Sequence, residues 1–431
     1  MDLLEDYKVV DDVDSGQDVQ IQPTSALSNG GPFDFQFETP PDNSWWAPDQ
    51  TRLTGRIDLM KLEDGTPKKV DMRNKDVAAG VSNIPISALF ESVSVSVNGQ
   101  RTNTSASHGY PYIAYFNYCL NFDEAAKLTN LWSSLWHRDT EGHMDTLEVS
   151  ENVDENNQGL IARKFWLTHD LSFETYLFCD LFTIDKLWPP NTTINVHIER
   201  KSDTFALMCP KNQDYYFEFT DLKLIIRRVS LSPSIYKNFI SSFKDKRTAK
   251  FKMDRTNFKN YLIAQGTTSI TIPGIVRGIK PQQLYVAFVD SKAFNGDITK
   301  NPFNFQHFKL TQIGLVVNGV SVPSYPLTMN PGKDINRMYR HFMDNAGIQN
   351  GPYTNGITQN MFGNGYFIVP FDLTPGKDNG QSLLRPTKAT IDLELRFKYS
   401  LKHPIECLVY TQHQDVLHLN NRGEIKFATE M

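Results

Sequence analysis

The stretch Ser87–Gln100, SALFESVSVSVNGQ, constrains the fold most, because Val93, Val95 and Val97 alternate with Ser92, Ser94 and Ser96 before Asn98-Gly99. Period-two alternation puts the valines on one face of a half-buried strand, and Asn-Gly supplies the positive φ angles of a type I′ hairpin turn. The pattern recurs at Phe308–Val322, FKLTQIGLVVNGVSV, where Ile313, Leu315 and Val317 precede Asn318-Gly319. Two such units at corresponding depths in the two halves suggest one architecture built twice. Superposed halves should bring Val97 near Val317.

A chain of 431 residues exceeds one ordinary domain, so two cores of roughly 200 residues each are expected. Its 28 Phe and 17 Tyr favour sheets. A formal charge of -5 gives no global reason to expect nucleic-acid binding, and there is no apolar run long enough to span a bilayer. The first residues, MDLLEDYKVVDDVDSGQD, are acidic where a signal peptide would be basic and then apolar, so synthesis in the cytosol is expected. Cys119, Cys179, Cys209 and Cys407 are widely spaced and read as buried reduced thiols.

Residues 1–31 carry too little apolar material for a core and read as an acidic N-terminal arm. Strands follow at FDFQFE from Phe33 and at Leu53–Lys61. Tyr110–His137 breaks the β pattern: Pro111 suits a helix first turn, and Leu128, Leu131, Trp132, Leu135 and Trp136 fall at helical spacings. Residues 138–164 and 331–365 are polar and read as long surface loops. Tyr215–Val229 reads as a strand pair or one bent strand. Between Arg227 and Lys259 stand ten Lys or Arg against two Asp, and SIYKNFISSF spaces Ile235, Phe239 and Phe243 one helical turn apart. The organisation expected is an arm (1–31), a first jelly roll (32–232) with a helical insertion (110–137), a basic connector (233–250) and a second jelly roll (251–431). The fold class is all-β: two tandem jelly-roll sandwiches with short helical insertions.

Chemical motifs are sparse. His137, Glu141 and His143 are the best metal candidates, but a separation of six puts the histidines on different helix faces, or about 20 Å apart if extended, so polar loop residues are the better reading. His413, Asp415 and His418 fail on strand parity. Gly363-Asn364-Gly365 lacks the third glycine of a dinucleotide motif, and no P-loop, nucleophile elbow or acid/base pair is visible. No enzymatic activity and no cofactor is expected. The basic connector has two readings, a solvated linker or a phosphate-contacting surface, the first favoured.

Several phrases, in order, carry a resemblance: YPYIAYFNYCLNF, LWHRDTEGHMD, DKLWPPNTTINVHIERKSDTFALM, FTDLKLIIRRVSLSPSI, AFNGDITKNPFNFQHFKLTQIGLVVNG and FDLTPG. Over roughly Pro23 to the C-terminus the chain resembles the major capsid protein of Polinton (Maverick) elements and adintoviruses. The resemblance implies a hexon-like double jelly-roll subunit that forms homotrimeric, pseudo-hexameric capsomers of an icosahedral DNA-virus shell. Neighbouring capsomers and a penton-type single jelly-roll minor capsid protein are the implied partners, and the virion the implied location. Lys244, Lys246, Arg247 and Lys250 are candidates for weak inner-face contact with packaged DNA. The chain departs from the family at Asn43–Thr51, NSWWAPDQT, which leaves Trp45 and Trp46 with two readings, core residues or interface anchors. The rival function is a β-sandwich glycan- or receptor-binding module using the long loops and exposed aromatics. A glycoside hydrolase would need paired carboxylates on facing strands, which the sequence does not display.

Overall fold

The computed structural model describes residues 12–27, 31–40, 42–73, 77, 79–102, 109–148, 156–168, 171–210, 214–244, 248–331, 333–346, 354–377 and 383–430. Among the described residues, sixteen of the strands frame four sheets. In the first half they are β1 (Val13–Ile21), β2 (Phe33–Thr39), β3 (Trp45–Glu63), β4 (Phe90–Val97), β5 (Gln100–Arg101), β6 (Leu171–Tyr176), β7 (Thr192–Arg200) and β8 (Tyr215–Leu231). The second half contributes β9 (Ala249–Ile263), β10 (Ser269–Ile279), β11 (Gln283–Asp290), β12 (Leu310–Val317), β13 (Val320–Thr328), β14 (Ile368–Asp372), β15 (Lys388–Phe397) and β16 (Ile405–Leu419).

The sheets have one plan used twice. The first half pairs β1-β8-β3-β6 and β2-β7-β4-β5, and the second pairs β9-β16-β11-β14 and β10-β15-β12-β13, all antiparallel. Each strand in one half therefore has its counterpart eight strands later.

The opening hairpin shows why. Asn98 and Asn318 both have φ 49, and Gly99 and Gly319 have φ 78 and 84, which is the left-handed pair that a type I′ turn needs. Each Asn also ties the turn to the adjacent strand. Asn98 N donates to Thr193 O at 2.8 Å while Asn98 Oδ1 accepts from Thr193 N at 2.8 Å. Asn318 makes the same pair of bonds with Thr390, at 2.9 and 2.8 Å. Val97 and Val317 thus end topologically equivalent strands, although Val97 is fully buried and Val317 only partly.

The two sandwiches share one apolar core, joined by helix α1 (Tyr110–Leu120) of the first half. Tyr112 stacks on Phe258 and Phe294, each 5.6 Å away, and Phe116 stacks on Phe305 at 5.5 Å and Tyr410 at 5.3 Å. Tyr115 lies 4.3 Å from Phe303, also stacked. A second bridge is Trp188 on Phe251 at 4.7 Å. Gly109, at φ 126, precedes the helix where a Cβ would stand 2.4 Å from the Phe258 ring, so only glycine lets the helix approach this closely.

Several elements differ from expectation. The arm is not wholly an arm: β1 pairs with β8 from Val13↔Leu231 to Ile21↔Leu224, and Asp18 sits between Arg52 and Arg227 at 3.1 Å each. Residues 1–11 lie outside the described residues. Tyr110–His137 is not one helix. After α1 come a short helix (Glu124–Leu128) and a 3-10 turn (Asn130–Ser134), broken at Thr129 (φ -136, ψ -84). The break splits the periodic set: Leu131, Leu135 and Trp136 are buried, while Leu128 and Trp132 are 56% and 46% exposed.

The 138–164 loop gives way at Gln158 to α2 (Gln158–Leu167), whose N-cap Asn157 accepts a bond from Leu160 N. The 331–365 loop holds α3 (Asn336–Asn345) and α4 (Gln359–Gly363), which bury Met338, Phe342, Met361 and Phe362. Tyr215–Val229 is one bent strand with register shifts after Phe219 and Ile225. The edge strand β13 carries Pro323 and Pro326, which cannot donate to a further ladder.

The Tyr112 hydroxyl has no hydrogen-bond partner among the described residues, so Tyr112 contributes to the joint through its ring and not its hydroxyl. Tyr112→Phe is expected to leave the thermal midpoint unchanged or raise it, whereas Tyr112→Ala should cost about 3–5 kcal/mol. Denaturant melts of the two variants would check the contrast, and equal losses would contradict it.

Candidate assembly surface and the joint between the halves

The joint also holds several of the buried charges. Arg163 of α2 and Asp139 form an ion pair at 2.5 Å with both side chains fully buried. Arg163 also donates to Val81 O at 2.8 Å and His137 O at 2.6 Å, while Asp139 accepts from Asn157 at 2.8 Å and from second-half Asn301 at 3.2 Å. Tyr366 closes the set by donating to Asp139 O at 2.8 Å. With each charge this fully bonded, the pair can be accommodated in the interior, and its geometry fixes how the insertion docks on the second half.

Lys127 is buried beside it. Its Nζ donates to Cys119 O and Asn355 O at 2.6 Å each, and burial, the largest influence on it, pulls its pKa down to about 8. At the outer end of the joint, a cleft of about 420 Å3 opens where Lys300 lies 3.8 Å from both Asp145 and Asp290.

Asp180 is the least satisfied of these groups. Its Oδ1 accepts from Thr256 N at 3.2 Å and Thr256 Oγ1 at 2.8 Å, but its Oδ2 has no hydrogen-bond partner among the described residues. Burial dominates and raises its pKa to about 7, against the downward pull of Thr256 and of Arg255. Arg255 is held by Asp415 at 3.3 Å and lies 4.0 Å from the centre of the Phe427 ring.

The sequence candidates fall as follows. Trp46 is fully buried, edge-on to Phe37 at 5.2 Å, and donates from Nε1 to Thr51 at 3.0 Å. Trp45 is 4% exposed and packs edge-on against Phe239 at 4.7 Å, on the connector helix Pro233–Lys244. The interface-anchor reading is therefore corrected: both rings are spent inside the chain and present no surface to a partner. The connector is thus a helix clamped to the first sandwich by an aromatic contact.

His137, Glu141 and His143 do not converge. His137 stacks between Trp132 at 5.4 Å and Trp166 at 6.3 Å, and burial, chiefly, holds its pKa down at about 4. Glu141 accepts from Asn360 at 3.0 Å. Among the described residues no group of three His, Cys, Asp or Glu is placed to hold a metal ion. All four cysteines are buried and free. Of the basic candidates, Lys250 is exposed at the start of β9, and Lys244 ends the connector helix. Lys246 and Arg247 lie outside the described residues.

Sequence reasoning missed the exposed aromatics Trp132 and Trp166, which flank His137, and Phe165 (61% exposed), because it placed the first in a helix and the others near a loop. It also missed Asp139 and Arg163, which stand 24 residues apart in a stretch read as solvated. No helix among the described residues is long and apolar enough to cross a membrane.

With this geometry in hand, the comparisons with known proteins concern the whole chain. The Sputnik virophage structure superposes at a TM-score of 0.65 with 11% identity, covering 100% of this chain and 92% of that one. The fold is a double jelly roll. The PBCV-1 virus capsid model gives a TM-score of 0.56 at 8% identity, covering 96% of both chains. The mavirus major capsid protein gives 0.53 at 11% identity, covering 95% of this chain and 89% of its own. In sequence, an uncharacterized protein of Caenorhabditis elegans is 21% identical over 351 residues, 80% of each chain. No family model matches the sequence.

Asp180 provides a test of the joint. Its folded-state pKa lies above the ordinary value, so folding favours the neutral acid. The stability it contributes is complete below about pH 4 and is lost as pH rises through about 7. His137 and His413, both held down near 4 mainly by burial, tilt stability the opposite way on the acid side, so the difference between variants is the informative quantity. Asp180→Asn should raise the thermal midpoint relative to wild type at about pH 8 and lose that advantage near about pH 4. Parallel midpoint curves for the two proteins would count against the assignment.

Proposed function

We propose that this chain is the major capsid protein of a Polinton- or adintovirus-type element, a subunit that trimerises into pseudo-hexameric capsomers of an icosahedral shell. The observation that carries the reading is the repeated plan: two eight-stranded sandwiches with identical strand order in one chain. Three subunits with two similar sandwiches each present six similar flanks, which is what packing into a near-hexagonal array requires. Full-length likeness to viral capsid structures supports this, and so does the rigid joint, since a fixed angle between sandwiches keeps the six flanks regular.

A relative in a nematode suits a capsid gene carried in an animal genome as an integrated element. The partners of the reading are other copies of the chain, neighbouring capsomers, a penton-type single jelly-roll protein and packaged DNA. The exposed rings of Trp132, Phe165 and Trp166 supply apolar surface for such contacts. Trp45 and Trp46, as core residues, are not available to the glycan-module rival, which would have to use other exposed aromatics such as Trp132. A hydrolase gains little from the cleft, because both of its carboxylates, Asp145 and Asp290, lie 3.8 Å from the Lys300 ammonium.

Size-exclusion chromatography with light scattering on the recombinant chain should give a mass near three subunits, and electron micrographs should contain hexagonal capsomers or shells. A strict monomer at high concentration with empty grids would refute the proposal.

A further inference from the structure

Two exposed lysines flank a histidine in a row across three adjacent strands of the second sandwich. Lys250 on β9 stands directly opposite His418 on β16, and His418 directly opposite Lys426 on the short strand Ile425–Phe427. Neighbouring strands lie about 4.8 Å apart, so the three side chains span about 10 Å on one face. Both lysines are exposed, and neither has an ion pair among the described residues. Lys252 follows Lys250 at the same parity on β9.

Like charges directly opposite one another destabilise a sheet, and sequences normally place an acid in such a row. The nearest carboxylate on the strand, Asp415, does not serve: it is buried, bonded to Arg255 at 3.3 Å and to Thr429 Oγ1 at 2.5 Å. His418 registers the mismatch. Its pKa is pulled down, first by burial and then by Lys250, with Asp415 opposing. The two lysines thus give the row a net positive charge with no counter-ion to either among the described residues, and the connector helix, with exposed Lys237, precedes it in sequence.

We propose that the row Lys250–His418–Lys426 binds the phosphate backbone of nucleic acid. Two lysines about 10 Å apart on one sheet face suit a repeating anion, with the neutral His418 between them able to donate a hydrogen bond, and contacts to phosphate alone make binding independent of sequence. The inference rests on the capsid reading only for the identity of the nucleic acid as the packaged genome. The row itself belongs to the isolated chain.

The test is fluorescence anisotropy of a short labelled DNA duplex with the full-length protein, over a salt series. Wild type should bind, with affinity falling steeply as salt rises. The double variant Lys250→Glu, Lys426→Glu should bind at least about tenfold more weakly, with the log–log salt slope reduced by about 2. A charge-matched control, Lys388→Glu with Lys402→Glu, changes exposed lysines elsewhere and should keep the slope.

Neutralising the row without reversing it, by Lys250→Gln with Lys426→Gln, should also weaken binding while raising the thermal midpoint, because repulsion is relieved. A purely structural role would lower that midpoint instead. Equal losses in the row and control variants, an unchanged slope, or binding of polyglutamate as tight as that of DNA would each overturn the proposal. Light scattering on the same samples reads assembly separately, so intact trimers that ignore DNA would refute the row alone, and a DNA-binding monomer would refute the capsid reading alone.

Discussion

The contact on which the rest of this structure depends is the stacking of Tyr112, Tyr115 and Phe116 against rings of the opposite sandwich. A jelly roll closes its own core between two sheets and has no inherent reason to hold a fixed angle to a neighbour in the same chain. Helix α1 supplies that reason by belonging to the first half and presenting Tyr112, Tyr115 and Phe116 to rings of the second. Large flat rings are well suited to such a joint, because each removes extensive apolar area from water, and offset or edge contacts between them resist rotation as well as separation. The buried pair Asp139–Arg163 then adds direction to the same joint, because a bonded network tolerates only one docking geometry.

The sandwich strands with an apolar face were legible in the sequence for a physical reason. Where one face of a strand is buried, as in Val93, Val95 and Val97, alternation is forced on the sequence and can be read back. The duplicated Asn-Gly turns were legible because few residue pairs tolerate two successive left-handed positions. Strand β1 was not, since it is exposed on both faces and held by its backbone ladder and the Asp18 bridges, which leave no apolar periodicity. In β9, Phe251 and Met253 do alternate with Lys250 and Lys252, but the density of positive charge suggested a solvated linker.

The insertion misled in both directions. Helical spacing from Leu128 to Trp136 is real, yet Thr129 breaks the helix, and the Leu131–Trp136 packing is reached through a 3-10 turn and a left-handed Leu135. The reverse error came from polarity: residues 138–164 look solvated because their buried members, Asp139, Asn157 and Arg163, are polar and satisfy one another. Spacing cannot reveal that kind of burial, which depends on partners brought together only by the fold. The tryptophan pair was ambiguous for a related reason. Burial of Trp45 depends on Phe239, nearly two hundred residues away in sequence.

The edge strand β13, with Pro323 and Pro326, and its two-residue counterpart β5 have a consequence for any ordered array of these subunits. With little or no ladder to extend at those edges, copies meeting there must touch through side chains instead of continuing one another's sheets. Contacts of that kind come apart and re-form singly, so a misplaced subunit can leave. A backbone ladder running from subunit to subunit would trap each error and turn a closed surface into a growing fibre.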